Sequence, residues 1–213
     1  MRPPRFLLAF ALLWPTCAFC QLAAGKLLIA TQKSRDADLK QTVVVLVQYD
    51  RDAAVGLIVN RRADVPASEV FSELTNTKGG PVSLWAGGPV TIGIRALHQS
   101  DFVPAEGHEI LPGISLIADK SLILKLLSAS TPPDNFRVYA GYVGWTAQQL
   151  RSEVASGLWL VRAGDPHVIF DPDPQTVWSR LIARPVSSPA AARRTPPPGQ
   201  AESGSAAHAK SSP

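Results

Sequence analysis

Beyond residue 20 the chain has no cysteine, since Cys17 and Cys20 both lie at its start. Disulfides, thiolate catalysis and cysteine-based zinc sites are therefore excluded from the remainder. Histidine is scarce too: His98, His108, His167 and His208 are widely separated, and none forms a metal-ligand pair at helical spacing with another. The sequence contains no Gly-x-Ser-x-Gly, and no Ser/His/Asp order stands out. The close carboxylate pairs, Asp36 with Asp38 and Glu106 with Glu109, sit in polar stretches that read as solvated loops. No metal, cofactor or catalytic residue is expected on these grounds.

At the start, Arg2 and Arg5 precede the apolar run Phe6–Trp14, Pro15 ends it, and small residues follow around Ala18. This is the order of a secretory signal peptide, and the run is about half the ~20 residues a membrane-spanning helix needs. Cleavage after Ala18 or after Cys20 both fit. The expected organisation is a signal peptide over 1–20, one α+β domain over 21–183, and a disordered tail over 184–213. The location expected is periplasmic or otherwise exported, with membrane contact only through an uncleaved leader.

The formal charge of +4 resides at the two ends. Arg2 and Arg5 contribute two positive charges, and Arg184, Arg193, Arg194 and Lys210 against Glu202 contribute three more, which leaves Gln21–Ala183 with one negative charge. A near-neutral domain without a basic stripe is not expected to bind nucleic acid. The tail, with Pro196-Pro197-Pro198 among Ala, Ser and Gly, cannot bury enough apolar surface to fold.

Within the domain, strands are expected at Lys26–Ala30, Thr42–Tyr49, Val55–Asn60, Ile94–His98, Ile114–Ala118, Phe136–Ala140, Leu158–Arg162 and Val168–Phe170. The run Val43–Val47 is apolar throughout, so both of its faces should be covered. Helices are expected at Ala67–Leu74, at Ser121–Leu127 behind Asp119, at Ala147–Ser156 between Thr146 and Gly157, and at Gln175–Ile182 behind Asp173-Pro174. The alternation is irregular and lacks a repeating βαβ period, which favours α+β over a doubly wound sheet.

Two glycine-rich sites, Gly87-Gly88-Pro89 and Gly141-Tyr142-Val143-Gly144-Trp145, could bring a ligand close to exposed main-chain amides. Neither carries the Walker lysine or the dinucleotide spacing, so both read as tight turns joining strand to helix. Tyr142 and Trp145 could stack on a ligand or cap the core.

Taken in order, these motifs carry a resemblance. They are Gly25-Lys26-Leu27-Leu28-Ile29-Ala30, Asp36 and Asp38, Thr42-Val43-Val44, Gly56-Leu57-Ile58-Val59-Asn60-Arg61, Gly87-Gly88-Pro89-Val90, Leu97-His98, Gly141-Tyr142-Val143-Gly144-Trp145, Gln149-Leu150, Trp159 and Trp178. From about Gly25 to Ile182 the chain resembles the YqgE/AlgH family of bacterial proteins. The resemblance implies a strongly bent, bifurcated mixed β-sheet forming a pseudo-barrel with flanking helices. It implies no established enzymatic activity or cofactor. Some members are labelled transcriptional regulators, a name tied to alginate production, but this chain shows no helix-turn-helix pattern.

Asn60, Arg61, Gly87, Gly88, His98, Gly141, Tyr142, Gly144, Trp145 and Gln149 match the family motifs and are the candidate ligand-binding positions. Three departures stand out: Arg62 where the family usually has proline, Leu39 where it has phenylalanine, and Thr146-Ala147-Gln148 where it favours Gly-Pro-Gly. The last converts a glycine-rich turn into a capped helix start. The leading functional expectation is a non-enzymatic binding or regulatory module that meets a protein partner in the cell envelope. The alternatives are a small-molecule or anion-binding protein or enzyme with a cleft near Arg61, His98 and Tyr142, and a cytosolic transcriptional regulator.

Overall fold

The computed structural model describes residues 22–66, 69, 83–128 and 136–184. The proposed leader, the tail beyond Arg184 and the helix expected at Ala67–Leu74, apart from the helical Glu69, lie outside them. In chain order the elements are β1 (Leu27–Ala30), β2 (Val43–Tyr49), β3 (Ala53–Ile58), β4 (Arg62–Pro66), β5 (Ser83–Ala86), β6 (Val90–Gln99), β7 (Gly107–Leu111), β8 (Ile114–Ile117), α1 (Lys120–Ser128), β9 (Phe136–Thr146), α2 (Ala147–Ala155), β10 (Trp159–Arg162), α3 (Pro166–Ile169) and α4 (Pro174–Ala183).

The ten described strands form one sheet in the order β10-β1-β2-β3-β9-β6-β8-β7, with β4 and β5 branching from it. The branch arises on β9, the longest strand. Its C-terminal half pairs antiparallel with β3, Gly56 facing Val143. On the N-terminal half, β5 pairs parallel, Trp85 facing Tyr139. β6 runs antiparallel to both halves and slips register between Val90 and Ile94. Gly141, at φ +75°, lies in the middle of β9, where the strand bends. The expected tight turn at Gly141–Trp145 is thus strand, because a left-handed glycine and a bulge let the chain change direction without leaving the ladder. Gly87-Gly88-Pro89 does turn, but from strand to strand, β5 to β6.

Alternation along each strand divides the apolar residues between two faces. Inside the curled sheet, Leu27, Ile29, Val43, Val45, Leu57, Leu97 and Tyr139 form one core, closed by Ile169, Val177 and Leu181 from α3 and α4. Outside, Leu28, Val44, Leu46, Ile58 and Val143 pack with Leu150 of α2. A third cluster places Leu84, Ala96, Ile117 and Val138 against Ile123 of α1. The run Val43–Val47 is at most 2% exposed, because it meets both the inner core and α2. The two ends of the ladder meet at a corner: a methyl group at Gly25 would overlap the Ile110 carbonyl oxygen, and one at Gly164 would overlap the carbonyl oxygen of Gly25.

Local chemistry accounts for the helices. Thr146 caps α2, its Oγ1 accepting from the Gln149 amide at 3.0 Å, and Gly157 at φ +73° stops it. Asp119 Oδ1 accepts from the Leu122 amide at 2.7 Å at the start of α1. The strand expected at Val168–Phe170 is instead the short helix α3. Asp165 Oδ1 accepts from the His167 amide at 2.9 Å and Pro166 occupies the first turn, so cap and proline override the β-branched composition.

Candidate functional site

The ten candidate residues fall into four settings. Asn60, 9% exposed, follows β3 and closes over the β1–β2 loop. Its Oδ1 accepts from the Val43 amide at 2.8 Å, and its Nδ2 donates to the Gln41 carbonyl at 3.0 Å. Gln41 has φ 58°, a strained conformation for a side-chain-bearing residue that this clamp helps to hold. Arg61 extends the clamp, donating to the carbonyls of Asp38 at 2.6 Å and Lys40 at 2.9 Å. A fork that binds two carbonyls of its own chain fixes a loop.

Gly87, Gly88 and Gly141 meet main chain to main chain where the sheet divides. The Gly87 amide donates to Ala140 at 2.8 Å while its carbonyl accepts from Ile58 at 2.9 Å, bridging β9 and β3. A Cβ at Gly87 would overlap the Gly141 carbonyl oxygen, one at Gly88 the carbonyl of Tyr142, and one at Gly141 would stand 2.6 Å from the Val90 carbonyl oxygen. These absent side chains make room for the protein's own backbone. Gly144 is exposed.

Trp145 and Gln149 come together around Glu153, a residue that motif reading did not single out. Glu153 Oε2 accepts from both indoles, Trp145 at 3.0 Å and Trp159 at 2.7 Å, and Oε1 accepts from Gln149 Nε2 at 2.9 Å. The two indoles pack edge to face with centroids 5.9 Å apart, locking α2 and β10 to the end of β9. The carboxylate lies on the turn beyond Leu150, so its helical position relative to an apolar residue was the available clue.

His98 and Tyr142 point into different surroundings. His98 packs edge-on against Phe136, centroids 5.8 Å apart, its Nδ1 is buried without a hydrogen-bond partner, and burial holds its pKa below the ordinary imidazole value. Tyr142 packs against the inner core and lies beneath the Arg95 guanidinium at 4.2 Å. Arg61 is committed to the β1–β2 loop, so the three do not form one cleft. A cavity of about 330 Å³ lies elsewhere, lined by Ala24, Val47, Gln48, Tyr49, His108 and Leu116.

The least expected group is Arg137, 6% exposed inside the curl. It donates to the Ile169 carbonyl at 2.6 Å and to that of Asp171, tying β9 to the end of α3. Its guanidinium lies 3.8 Å from the centre of the Trp85 ring, which Arg62 approaches at 5.0 Å. Burial pushes the Arg137 pKa down, the neighbouring Tyr139 opposes that shift and Arg62 adds to it. Asp171 is paired with Arg180; burial pushes its carboxyl up, but the hydrogen bond from Arg180 and the backbone amide of Asp173 outweigh this and hold it below the ordinary value.

Among the described residues no group of three or more His, Cys, Asp or Glu is placed to hold a metal, and no helix is long and apolar enough to cross a membrane.

The frame built by these motifs is shared. The family described as "DUF179: AlgH-like" matches residues 27–189. The chain belongs to the AlgH-like family. A UPF0301 protein of Chlorobium chlorochromatii is 32% identical over 166 residues, 77% of this chain and 87% of that one. A UPF0301 protein of Methylococcus capsulatus is 31% identical over 163 residues, covering 75% and 89%. The solution structure of the AlgH protein of Pseudomonas aeruginosa superposes with a TM-score of 0.65 at 27% identity, covering 86% of this chain and 95% of that one. Protein DIP2367 of Corynebacterium diphtheriae shares the fold, with a TM-score of 0.64 at 21% identity over 79% of this chain and 90% of that one. The curled, branched sheet with flanking helices is thus the AlgH-like architecture, and Thr146, Ala147 and Gln148 build the capped helix start within it.

Proposed function

We propose that this AlgH-like protein is a non-enzymatic binding or regulatory module acting in the cell envelope through a protein partner. The observation that carries the reading is the use made of the family motifs. Asn60, Arg61, Trp145 and Gln149 donate their side-chain hydrogens to groups of this chain, and the space beside Gly87, Gly88 and Gly141 is filled by backbone. Residues spent on a frame support a role in presenting a surface. The envelope address rests on Arg2, Arg5 and the run Phe6–Trp14 before Pro15.

The test combines N-terminal sequencing of the native protein with affinity capture from the envelope fraction, using the chain with and without 184–213. The reading expects a start near residue 19 or 21 and a partner retained in repeated captures. An intact Met1 in the soluble fraction, with no reproducible partner, overturns it.

A further inference from the structure

The mouth of the curled sheet holds a cavity that the family motifs do not build. Its volume is about 330 Å³, and Ala24, Val47, Gln48, Tyr49, His108 and Leu116 line it. In the strand order β2 and β7 are separated by β3, β9, β6 and β8, so it is the curl that brings the end of β2 opposite the β7–β8 hairpin. The floor is apolar, since Val47 belongs to the inner core and Leu116 packs against it. His108 and Leu116 are direct partners across the hairpin and therefore share the face turned to the mouth.

A bulge adds a second polar group to that face. The β2–β3 register shifts between Leu46 and Gln48. Val43, Val45 and Val47 lie in the inner core, while Tyr49, two residues further on, packs with the outer cluster. A regular strand keeps such residues on one face, so the extra residue has reversed the alternation and turned Gln48 inward beside Val47. Gln48 Nε2 donates to Asp50 Oδ2 at 2.7 Å, which leaves the carboxamide oxygen to accept. The Tyr49 hydroxyl is engaged on the other face, accepting from Arg151 Nη1 at 3.2 Å. Among the described residues the His108 imidazole has no hydrogen-bond partner.

Charge selects the ligand. Asp50 stands one hydrogen bond from the cavity wall, and the bonds it accepts from Gln48 and from the Ala53 and Asp52 amides hold its carboxyl below the ordinary value. With Asp52 against Arg51, that turn keeps one negative charge. On the hairpin side no lysine or arginine falls between Arg95 and Lys120, whereas Asp101, Glu106, Glu109 and Asp119 do. An anion is repelled from both banks. The geometry points to a binding site for a small primary amine, its ammonium donating to the Gln48 carbonyl oxygen and to a ring nitrogen of neutral His108, its short apolar stem lying on Val47 and Leu116. An ammonium carries three donors and no acceptor, which suits two acceptors at the rim of an apolar floor, and the mouths of curled sheets are where such pockets form. The site goes beyond the docking role and does not depend on it.

The experiment is an amide NMR titration of the full chain with pentylamine hydrochloride at about pH 8, where an imidazole is neutral and an alkylammonium charged. Sodium chloride at equal ionic strength is the blank, and pentanol and sodium pentanoate keep the stem while changing the head. Saturating shifts at Gln48, His108 and Leu116 are expected at about millimolar pentylamine, with weaker binding of pentanol and no response to pentanoate beyond that of chloride. Gln48→Leu and His108→Leu, both at exposed positions, are each expected to weaken amine binding about tenfold while melting at the wild-type temperature. Should one variant fail to fold, the other carries the comparison. Absence of saturation with pentylamine, pentanol or pentanoate binding as tightly as the amine, or wild-type affinity in the folded variants overturns the site.

Discussion

The Arg137 guanidinium lies 3.8 Å from the centre of the Trp85 indole ring inside the sheet, while it donates to the carbonyls of Ile169 and Asp171 at the end of α3. Arg137→Met keeps the apolar stem and removes the fork. The carbonyls of Ile169 and Asp171 then lose a charged donor in a buried setting, and a loss of roughly 2–4 kcal/mol is expected from urea unfolding with an unchanged m-value. Arg137→Lys should recover less than half of it, because one ammonium cannot span both carbonyls. A midpoint for Arg137→Met equal to wild type would sink this account.

Glu153 satisfies two indoles at once. Replacing it by alanine leaves Trp145 and Trp159 N–H groups without an acceptor, and a destabilisation of about 2–4 kcal/mol is expected, with loss of near-ultraviolet circular dichroism. Glu153→Gln, whose carbonyl oxygen still accepts, should cost about half as much. Equal losses in the two variants would show that charge, rather than acceptance, is what the indoles require.

The pH dependence near neutrality should depend on His98. Burial holds its folded-state pKa below the ordinary value of 6.5, so the unfolded chain takes up a proton that the folded chain resists. Stability from this residue is therefore complete above pH 6.5 and is lost as pH falls from there through the folded pKa. Unfolding midpoints measured from pH 7.5 down to 5 should fall in wild type and flatten in His98→Gln. A decline identical in both would assign the effect elsewhere. Asp171, held below 3.8, follows the same sign in a separate and more acidic window.

The glycines at the fork are separable by substitution. Gly87→Ala drives a methyl into the Gly141 carbonyl oxygen and Gly141→Ala adds a side chain at φ +75°, so each should cost at least about 2 kcal/mol. Gly144→Ala meets only the Tyr142 ring edge at 3.3 Å and should cost less than about 1 kcal/mol. Thermal melts of the three variants check the order, and parity between Gly87→Ala and Gly144→Ala would refute it.

Much of this was legible where one local rule acted alone. The run Val43–Val47 announced a strand covered on both faces, and Thr146 with Gly157 bracketed α2 to within a residue. The rest depended on neighbours distant in sequence. Gly141 looks like the end of a strand until β3, β5 and β6 are seen to share β9. β4 and β5 pair with each other across a long separation, and Arg62, Asp64 and Val65 are exposed, so no apolar pattern marked them. Arg137 carried a faint mark: it falls at the inward parity of Phe136-Arg137-Val138-Tyr139, where an apolar residue is the rule. The family motifs identified the architecture well but could not tell that their polar atoms hold the loops and helices of the frame.

The corner where Gly25 and Gly164 meet Ile110 and Leu111 also bears on solubility. Among the described residues β10 and β7 terminate the ladder, each paired with a strand on one side, and such edges recruit strands from other molecules. Folding the two ends against one another shelters part of both. A bulky residue at Gly25 or Gly164 would push the corner apart and offer two adhesive strand edges, so aggregation rather than simple unfolding is the failure this small contact guards against.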